Sequence, residues 1–171
     1  MREHTLSQSE EQILALSGEM AQSYRHIFSM LNNVDLQFAE ITNEQGQKEQ
    51  LSHGNFLRFM QSHEQSVRRQ AFTALYDAYE KNKNTLAGLY ASSVKKDVFY
   101  AKVRKYESAL AGSLFSDNIS VDVYDNLIRT VRAGLPVFQR YLKLRKKLLG
   151  LKELHMYDVY APLFGQSHKK Y

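Results

Sequence analysis

The sequence has no cysteine and no tryptophan, only 2 prolines and 8 glycines in 171 residues. Without cysteine there is no disulfide framework, no thiolate metal site, no iron–sulfur cluster and no cysteine nucleophile. So few helix breakers, with abundant Leu, Ala, Lys, Glu and Gln, favour long helices over a sandwich or barrel. No apolar run reaches the ~18 residues that a membrane-spanning helix needs. The opening Met1-Arg2-Glu3-His4-Thr5 leads into a polar stretch, not the apolar core of a signal peptide, and nothing marks a lipid anchor. A cytoplasmic setting without membrane association is the expectation.

What is present is helical periodicity and an uneven charge. Residues 1–85 carry a net −3 and residues 86–171 a net +8. A basic second half fits either a solvated helix face or an anionic partner such as nucleic acid. The run Lys143, Arg145, Lys146, Lys147 and Lys152, with Arg140 and Lys143 flanking Tyr141, carries most of that choice. Basic side chains near a helix C-terminus also complement the helix dipole, and the solvated face is the preferred reading.

Ser7-Gln8-Ser9-Glu10 is a capping box, in which the serine oxygen takes an orphan amide and the glutamate reaches back. It opens a stripe through Ile13, Leu16, Met20, Tyr24, Ile27, Phe28 and Leu31, with Gly18 as a break and Asn32-Asn33 as an end. A short β-hairpin is expected over 38–51, turning at Asn43-Glu44-Gln45-Gly46. Ser52 caps a short helix bearing Phe56, Phe59 and Met60. Ser62-His63-Glu64-Gln65 reads as a second capping box. It starts a long stretch from Val67 to Leu110, one very long helix or two in series, with Gly88 and Lys95-Lys96-Asp97 as the expected bends. Residues 112–120 read as a loop. Ser120 caps a last helix whose stripe is Val121, Tyr124, Leu127, Ile128, Val131, Leu135, Phe138, Tyr141, Leu142 and Leu148. Pro136 should kink it near Ala133 to Leu135, and Gly150 should end it. The fold class is therefore mainly α, with long antiparallel helices packed through their stripes and one small hairpin. A helical domain over 1–150 and a connector over 151–171 are expected.

The pattern yields no catalytic, cofactor-binding or metal-ligating residue. The histidines, at 4, 26, 53, 63, 155 and 168, never stand three or four apart, as a helical zinc motif requires. His53 and His63 read as residues at helix starts and His155 as a packing residue. There is no glycine-rich phosphate loop and no nucleophile elbow. Asp122 and Asp125 sit in a helix's first turn, where they oppose its dipole. The tyrosines fall mostly on apolar stripes, where core or interface packing is the default.

An ordered set of stretches carries a resemblance. It includes His4-Thr5-Leu6-Ser7, Ile27-Phe28-Ser29-Met30-Leu31, Asp35-Leu36-Gln37-Phe38, Leu51-Ser52-His53-Gly54-Asn55-Phe56 and Val67-Arg68-Arg69-Gln70-Ala71-Phe72. It continues through Asn84-Thr85-Leu86-Ala87, Val94-Lys95-Lys96-Asp97-Val98-Phe99, Tyr106-Glu107-Ser108-Ala109-Leu110 and Tyr157-Asp158-Val159-Tyr160-Ala161-Pro162-Leu163. In this order and spacing the chain resembles the N-terminal helical portion of oligoendopeptidase F, over nearly all its length. The resemblance implies a cytoplasmic zinc metallopeptidase that hydrolyses short peptides inside a channel walled by helices. It also implies that the His-Glu-x-x-His zinc motif lies beyond the equivalent of Tyr171. This chain would then be a non-catalytic part that walls the channel, inactive by itself. Its partners would be the missing catalytic domain and short peptides, with self-association of exposed apolar surface. A stand-alone helical interaction module and a small basic nucleic-acid-binding protein remain the alternatives.

Overall fold

The computed structural model describes residues 2–164. The elements run α1 (Gln8–Leu16), α2 (Gly18–Met30), β1 (Glu40–Thr42), β2 (Lys48–Gln50), α3 (His53–Met60), α4 (Gln65–Lys81), α5 (Lys83–Val103), α6 (Ala109–Phe115) and α7 (Val121–Leu148). The chain is thus mainly α with a two-stranded antiparallel hairpin. It divides into two compact units, residues 1–35 with 83–133, and residues 36–82 with 134–171.

The first unit is organised by local caps and one antiparallel helix pair. The Glu10 carboxylate accepts from the Ser7 backbone at 2.9 Å and from its hydroxyl at 2.6 Å, which fixes the start of α1. The helix breaks at Ser17, where the hydroxyl turns back to the Leu14 carbonyl, and α2 resumes at Gly18. It ends in a wider π-type turn over Leu31–Asp35. Along α2 the sequence rises while along α5 it falls. The Ser17 hydroxyl meets that of Tyr100 at 3.1 Å, and Lys96 stands over the Tyr24 ring at 5.7 Å. The pair is antiparallel. Arg104 then ties down the N-terminal segment, with its two terminal nitrogens each 2.8 Å from the Glu11 carboxylate and one of them 3.2 Å from the His4 carbonyl. Among the described residues of this unit, the buried hydrophobics are Leu14 and Ala101.

The second unit has a fuller core. The hairpin pairs Glu40 with Gln50, Ile41 with Glu49 and Thr42 with Lys48. Asn43 Oδ1 accepts from the amides of Gln45 and Gln47, and Gly46 takes φ +78, where a Cβ would be strained. Ile41, on the inner face, packs with Leu51, Phe59, Val67 and Ala71, and Phe38, Phe56, Ala74 and Leu75 flank that cluster. Ser52 caps α3 through the Asn55 amide at 3.3 Å, while the Asn55 side chain takes the Ser52 amide at 2.8 Å.

Several expectations are corrected. Ser62 does not cap α4: the helix starts at Gln65 with Glu64 before it. The Ser62 hydroxyl bonds the Glu44 carboxylate instead, and its oxygen accepts the Glu64 amide at 3.1 Å. The long stretch breaks at Asn82, not at Gly88 or Lys95-Lys96-Asp97, which lie inside α5. The Asn82 side chain takes the Ala78 carbonyl at 2.9 Å and its amide the Tyr79 carbonyl, closing α4 on itself. Helix α5 ends at Val103, short of Leu110. The expected loop over 112–120 begins as helix, since α6 is capped by Ser108, which accepts the Ala111 amide at 3.0 Å. Helix α7 continues through Pro136, as the sequence reading of one helix containing that proline expects. Beyond its end, Gly150 at φ +65 lets the Leu151 amide reach the Lys146 carbonyl at 3.1 Å, a left-handed terminus of the kind Gly150 predicts.

Candidate functional site

Three features have functional potential: a buried ionic knot in the second unit, an open tyrosine-lined groove in the first, and the surface of α7.

The knot centres on Asp158, which is 0% exposed, and Arg68, which is 2% exposed. Arg68 reaches Asp158 Oδ1 with Nη2 at 2.7 Å and with Nε at 3.2 Å. Its remaining nitrogen bonds the carbonyls of Ser62 and His63 at 2.8 and 2.9 Å. Asp158 Oδ2 accepts from Gln65 at 3.1 Å and from the His155 amide at 2.9 Å. Arg145, 5% exposed, grips the same turn from α7. Its Nε bonds the Asp158 carbonyl at 3.1 Å, one terminal nitrogen bonds the Ala161 carbonyl, and the other the Tyr141 hydroxyl at 3.1 Å. No buried side-chain polar atom among the described residues is left without a partner. A buried pair with every donor and acceptor engaged is stable as a set and costly to break on one side. Its effect is to pin the segment after α7 onto α4. Arg145 therefore leaves the solvated basic run in which its neighbours suggest it belongs.

The groove has a volume of about 870 Å³. Small residues, Gly18, Ala21, Ala101, Ala109 and Gly112, line part of it, and Tyr90, Tyr100, Tyr106 and Tyr124 another part. Gly112 lies close to its neighbour: a Cβ there would stand 3.0 Å from the Tyr106 ring, which would have to give by a few tenths of an ångström. Tyr106 is held by stacking on His4 at 4.0 Å and by Phe115 at 5.2 Å. The charged residues of the groove are already paired, Lys96 with Asp97 at 2.7 Å and Arg104 with Glu11. Arg104 hydrogen bonds hold the Glu11 carboxyl below its ordinary value, and Asp97 draws that of the Lys96 ammonium upward. Nearby on α2, the hydroxyl of Ser93 and the guanidinium of Arg25 lower the Tyr24 phenol to about 8.

Helix α7 exposes most of its apolar stripe. Leu127 is 60% exposed, Val131 58%, and Phe138 55%, and the buried residue of the helix is Arg145. Packing of the long helices through their stripes is not seen for α7 among the described residues, and the bare apolar surface expected of helices that lack a second domain is present there. Nor are its tyrosines core residues, since Tyr124 and Tyr141 are exposed, as are Tyr76, Tyr90 and Tyr160 elsewhere.

The histidines do not converge. His53, first residue of α3, meets the Phe38 ring edge-on at 4.9 Å, and His155 stacks on Tyr157 at 4.9 Å. The His63 amide donates to Glu44 at 2.9 Å. His26 is exposed on α2, and His168 lies outside the described residues. No group of three His, Cys, Asp or Glu able to hold a metal occurs among the described residues. The donors therefore do not fit a zinc ion. No helix described is long and apolar enough to cross a membrane.

Residues 58–170 match the family model described as Peptidase family M3, and residues 1–38 the one described as Oligopeptidase F. Oligopeptidase PepF of Bacillus subtilis (strain 168) is 46% identical over 169 residues, which cover 99% of this chain and 25% of that protein. An oligoendopeptidase F homolog of Borreliella burgdorferi is 43% identical over 162 residues, 95% of this chain and 27% of its own length. The crystal structure of oligoendopeptidase-F from Enterococcus faecium superposes with a TM-score of 0.93 at 42% identity, covering 96% of this chain and 33% of that one. The chain thus spans about a quarter of the length of the curated relatives it matches.

Proposed function

Because the chain belongs to peptidase family M3, we propose that it forms the non-catalytic helical part of a zinc-dependent oligoendopeptidase acting on short peptides in the cytoplasm. Its helices wall the peptide channel, and the apolar side of α7 from Leu127 to Phe138 seats the rest of such an enzyme. Zinc supplies the hydrolytic chemistry in that setting. Among the described residues no donors gather around a metal, so no step of that chemistry is assigned to them. What this chain contributes is binding surface and a limit on substrate size.

The observation that carries the reading is the bare stripe of α7 in a chain that matches family members almost end to end while spanning a quarter of their length. A run of exposed Leu, Val, Ile and Phe on one helix is a surface built for a partner. The nucleic-acid alternative loses Arg145 from its basic patch, because that guanidinium is spent on backbone carbonyls.

The test is a chimera in which this chain replaces the matching 169 residues of the Bacillus subtilis relative. The chimera is expected to cleave quenched fluorescent short peptides, while the 171-residue chain with added zinc does not. A folded but inactive chimera would count against the reading. So would zinc-dependent cleavage by the chain itself that disappears on changing His53 or His63.

A further inference from the structure

The groove of the first unit has features that the channel-wall reading does not by itself require. It is of the size of small-ligand sites, which run about 300–1,000 Å³, and all its lining residues belong to one unit. Its floor is made of glycine and alanine, including a Gly112 that nothing larger could replace without moving the Tyr106 ring. Tyr90 is 74% exposed and Tyr124 41% exposed, so both are reachable. The cations at the groove are already matched: Lys96 by Asp97 and Arg104 by the two oxygens of Glu11. An incoming carboxylate or ammonium therefore meets no unpaired counter-charge and gains little for losing its water.

We propose that this groove holds an uncharged, aromatic-bearing stretch of a short peptide, seated between the rings of Tyr90 and Tyr124 with tyrosine hydroxyls donating to its backbone carbonyls. The proposal rests on the peptidase reading and names the substrate feature that this part of the enzyme selects. Aromatic faces prefer aromatic partners in offset or edge-on contact, and a tyrosine supplies the polar tip as well. The paired ions around the floor turn away charged side chains without attracting them. Peptides would thus be sorted here by composition.

The experiment titrates the 171-residue chain with peptides blocked at both ends, following tyrosine resonances by NMR. The three tetrapeptides are identical except for one Phe, Glu or Lys. The Phe peptide should perturb Tyr90 and Tyr124 and bind about tenfold more tightly than the other two, the ratio that one aromatic contact supports. Tyr90→Ala and Tyr124→Ala should each weaken it by a similar factor. Tyr76→Ala, at an exposed tyrosine of the other unit, should leave it unchanged. Equal binding of all three peptides, no binding at millimolar concentration, or indifference to both groove substitutions would overturn the proposal. The chimera keeps the two readings apart. An active chimera with an indifferent groove sinks only the groove, whereas an inactive chimera sinks the peptidase reading whatever the groove does.

Discussion

The two units spend similar amounts of chain in opposite ways. Residues 36–82 and 134–171 build an interior of Ile41, Leu51, Phe59, Met60, Val67, Ala71 and Ala161 and lock it with Arg68, Arg145 and Asp158. Residues 1–35 and 83–133 bury Leu14 and Ala101, and leave Ile13, Leu16, Met20 and Ile27 at least half exposed. The contrast recurs between single helices. Helix α4 buries Val67, Arg68, Ala71 and Ala78, whereas the longer α7 buries one arginine. Apolar periodicity therefore says that a face is meant to be covered, not that its own chain covers it.

If the contrast is real, substitutions in the two units should differ sharply in cost. The largest effect belongs to the knot. Asp158→Ala leaves Arg68 charged and buried without its partner, and should cost roughly 3–5 kcal/mol in urea unfolding. A loss below about 1 kcal/mol would mean that the segment after α7 is held by something else. Next comes the apolar core. Leu51→Ala, at 2% exposure, should cost about 2–5 kcal/mol. Leu16→Ala on α1, at 77% exposure, should stay within about 0.5 kcal/mol. Equal costs would erase the distinction.

The acid side sharpens the comparison further. Bonds from Arg104 lower Glu11 below its ordinary value of 4.5, and bonds from Ser7 lower Glu10, both in the first unit. Bonds from Ser62 lower Glu44, and bonds from Arg58 lower Glu49, in the second. A carboxyl whose folded value lies below its unfolded one stabilises the fold above the unfolded value. That contribution is lost as pH falls through the folded value. Thermal unfolding should therefore move to lower temperature as pH drops below 4.5. Glu11→Gln should flatten the part of that fall that α1 reports by hydrogen exchange. A midpoint that is constant down to pH 3, about a unit and a half below that range, would contradict these assignments.

The smallest effect on stability is expected on α7, and there the informative readout is mass. Leu127→Ser and Phe138→Ser should each change unfolding by no more than about 0.5 kcal/mol. The unmodified chain should self-associate at micromolar concentration in light scattering, because its apolar stripe lacks cover, and both substitutions should shift it toward monomer. A monomer at all concentrations would show that the stripe is content in water.

Most of the local grammar was legible. The Ser52 cap, the break just before Gly18, the hairpin turn from Asn43 to Gly46 and the terminus at Gly150 all follow from residues acting on their own neighbourhood. The misreadings involve longer reach. Ser62 looks like a cap, but Glu44, 18 residues away, takes its hydroxyl. Asn82 closes a helix that lacks glycine or proline at that point. Arg145 looks like one more surface cation because the acceptors that bury it, the carbonyls of Asp158 and Ala161, leave no trace in a sequence. The Arg68–Asp158 pair spans 90 residues. Its only sequence signal was that Val67-Arg68-Arg69 and Tyr157-Asp158-Val159 both belong to the stretches that carry the family resemblance. Tyr124 reads as a member of an apolar stripe, Tyr90 carries no signal of its own, and only the fold brings them to one groove.

Hydrogen exchange by mass spectrometry, on the chain and on the peptidase chimera, bears most directly on the idea that the first unit and α7 are finished by the rest of an M3 peptidase. In the chain, amides of α3 and α4 should be protected and those of residues 121–141 should exchange fast. In an active chimera the α7 amides should slow by orders of magnitude while those of α4 change little. Protection of α7 that is already complete in the 171-residue chain, and unchanged in the chimera, would contradict the account.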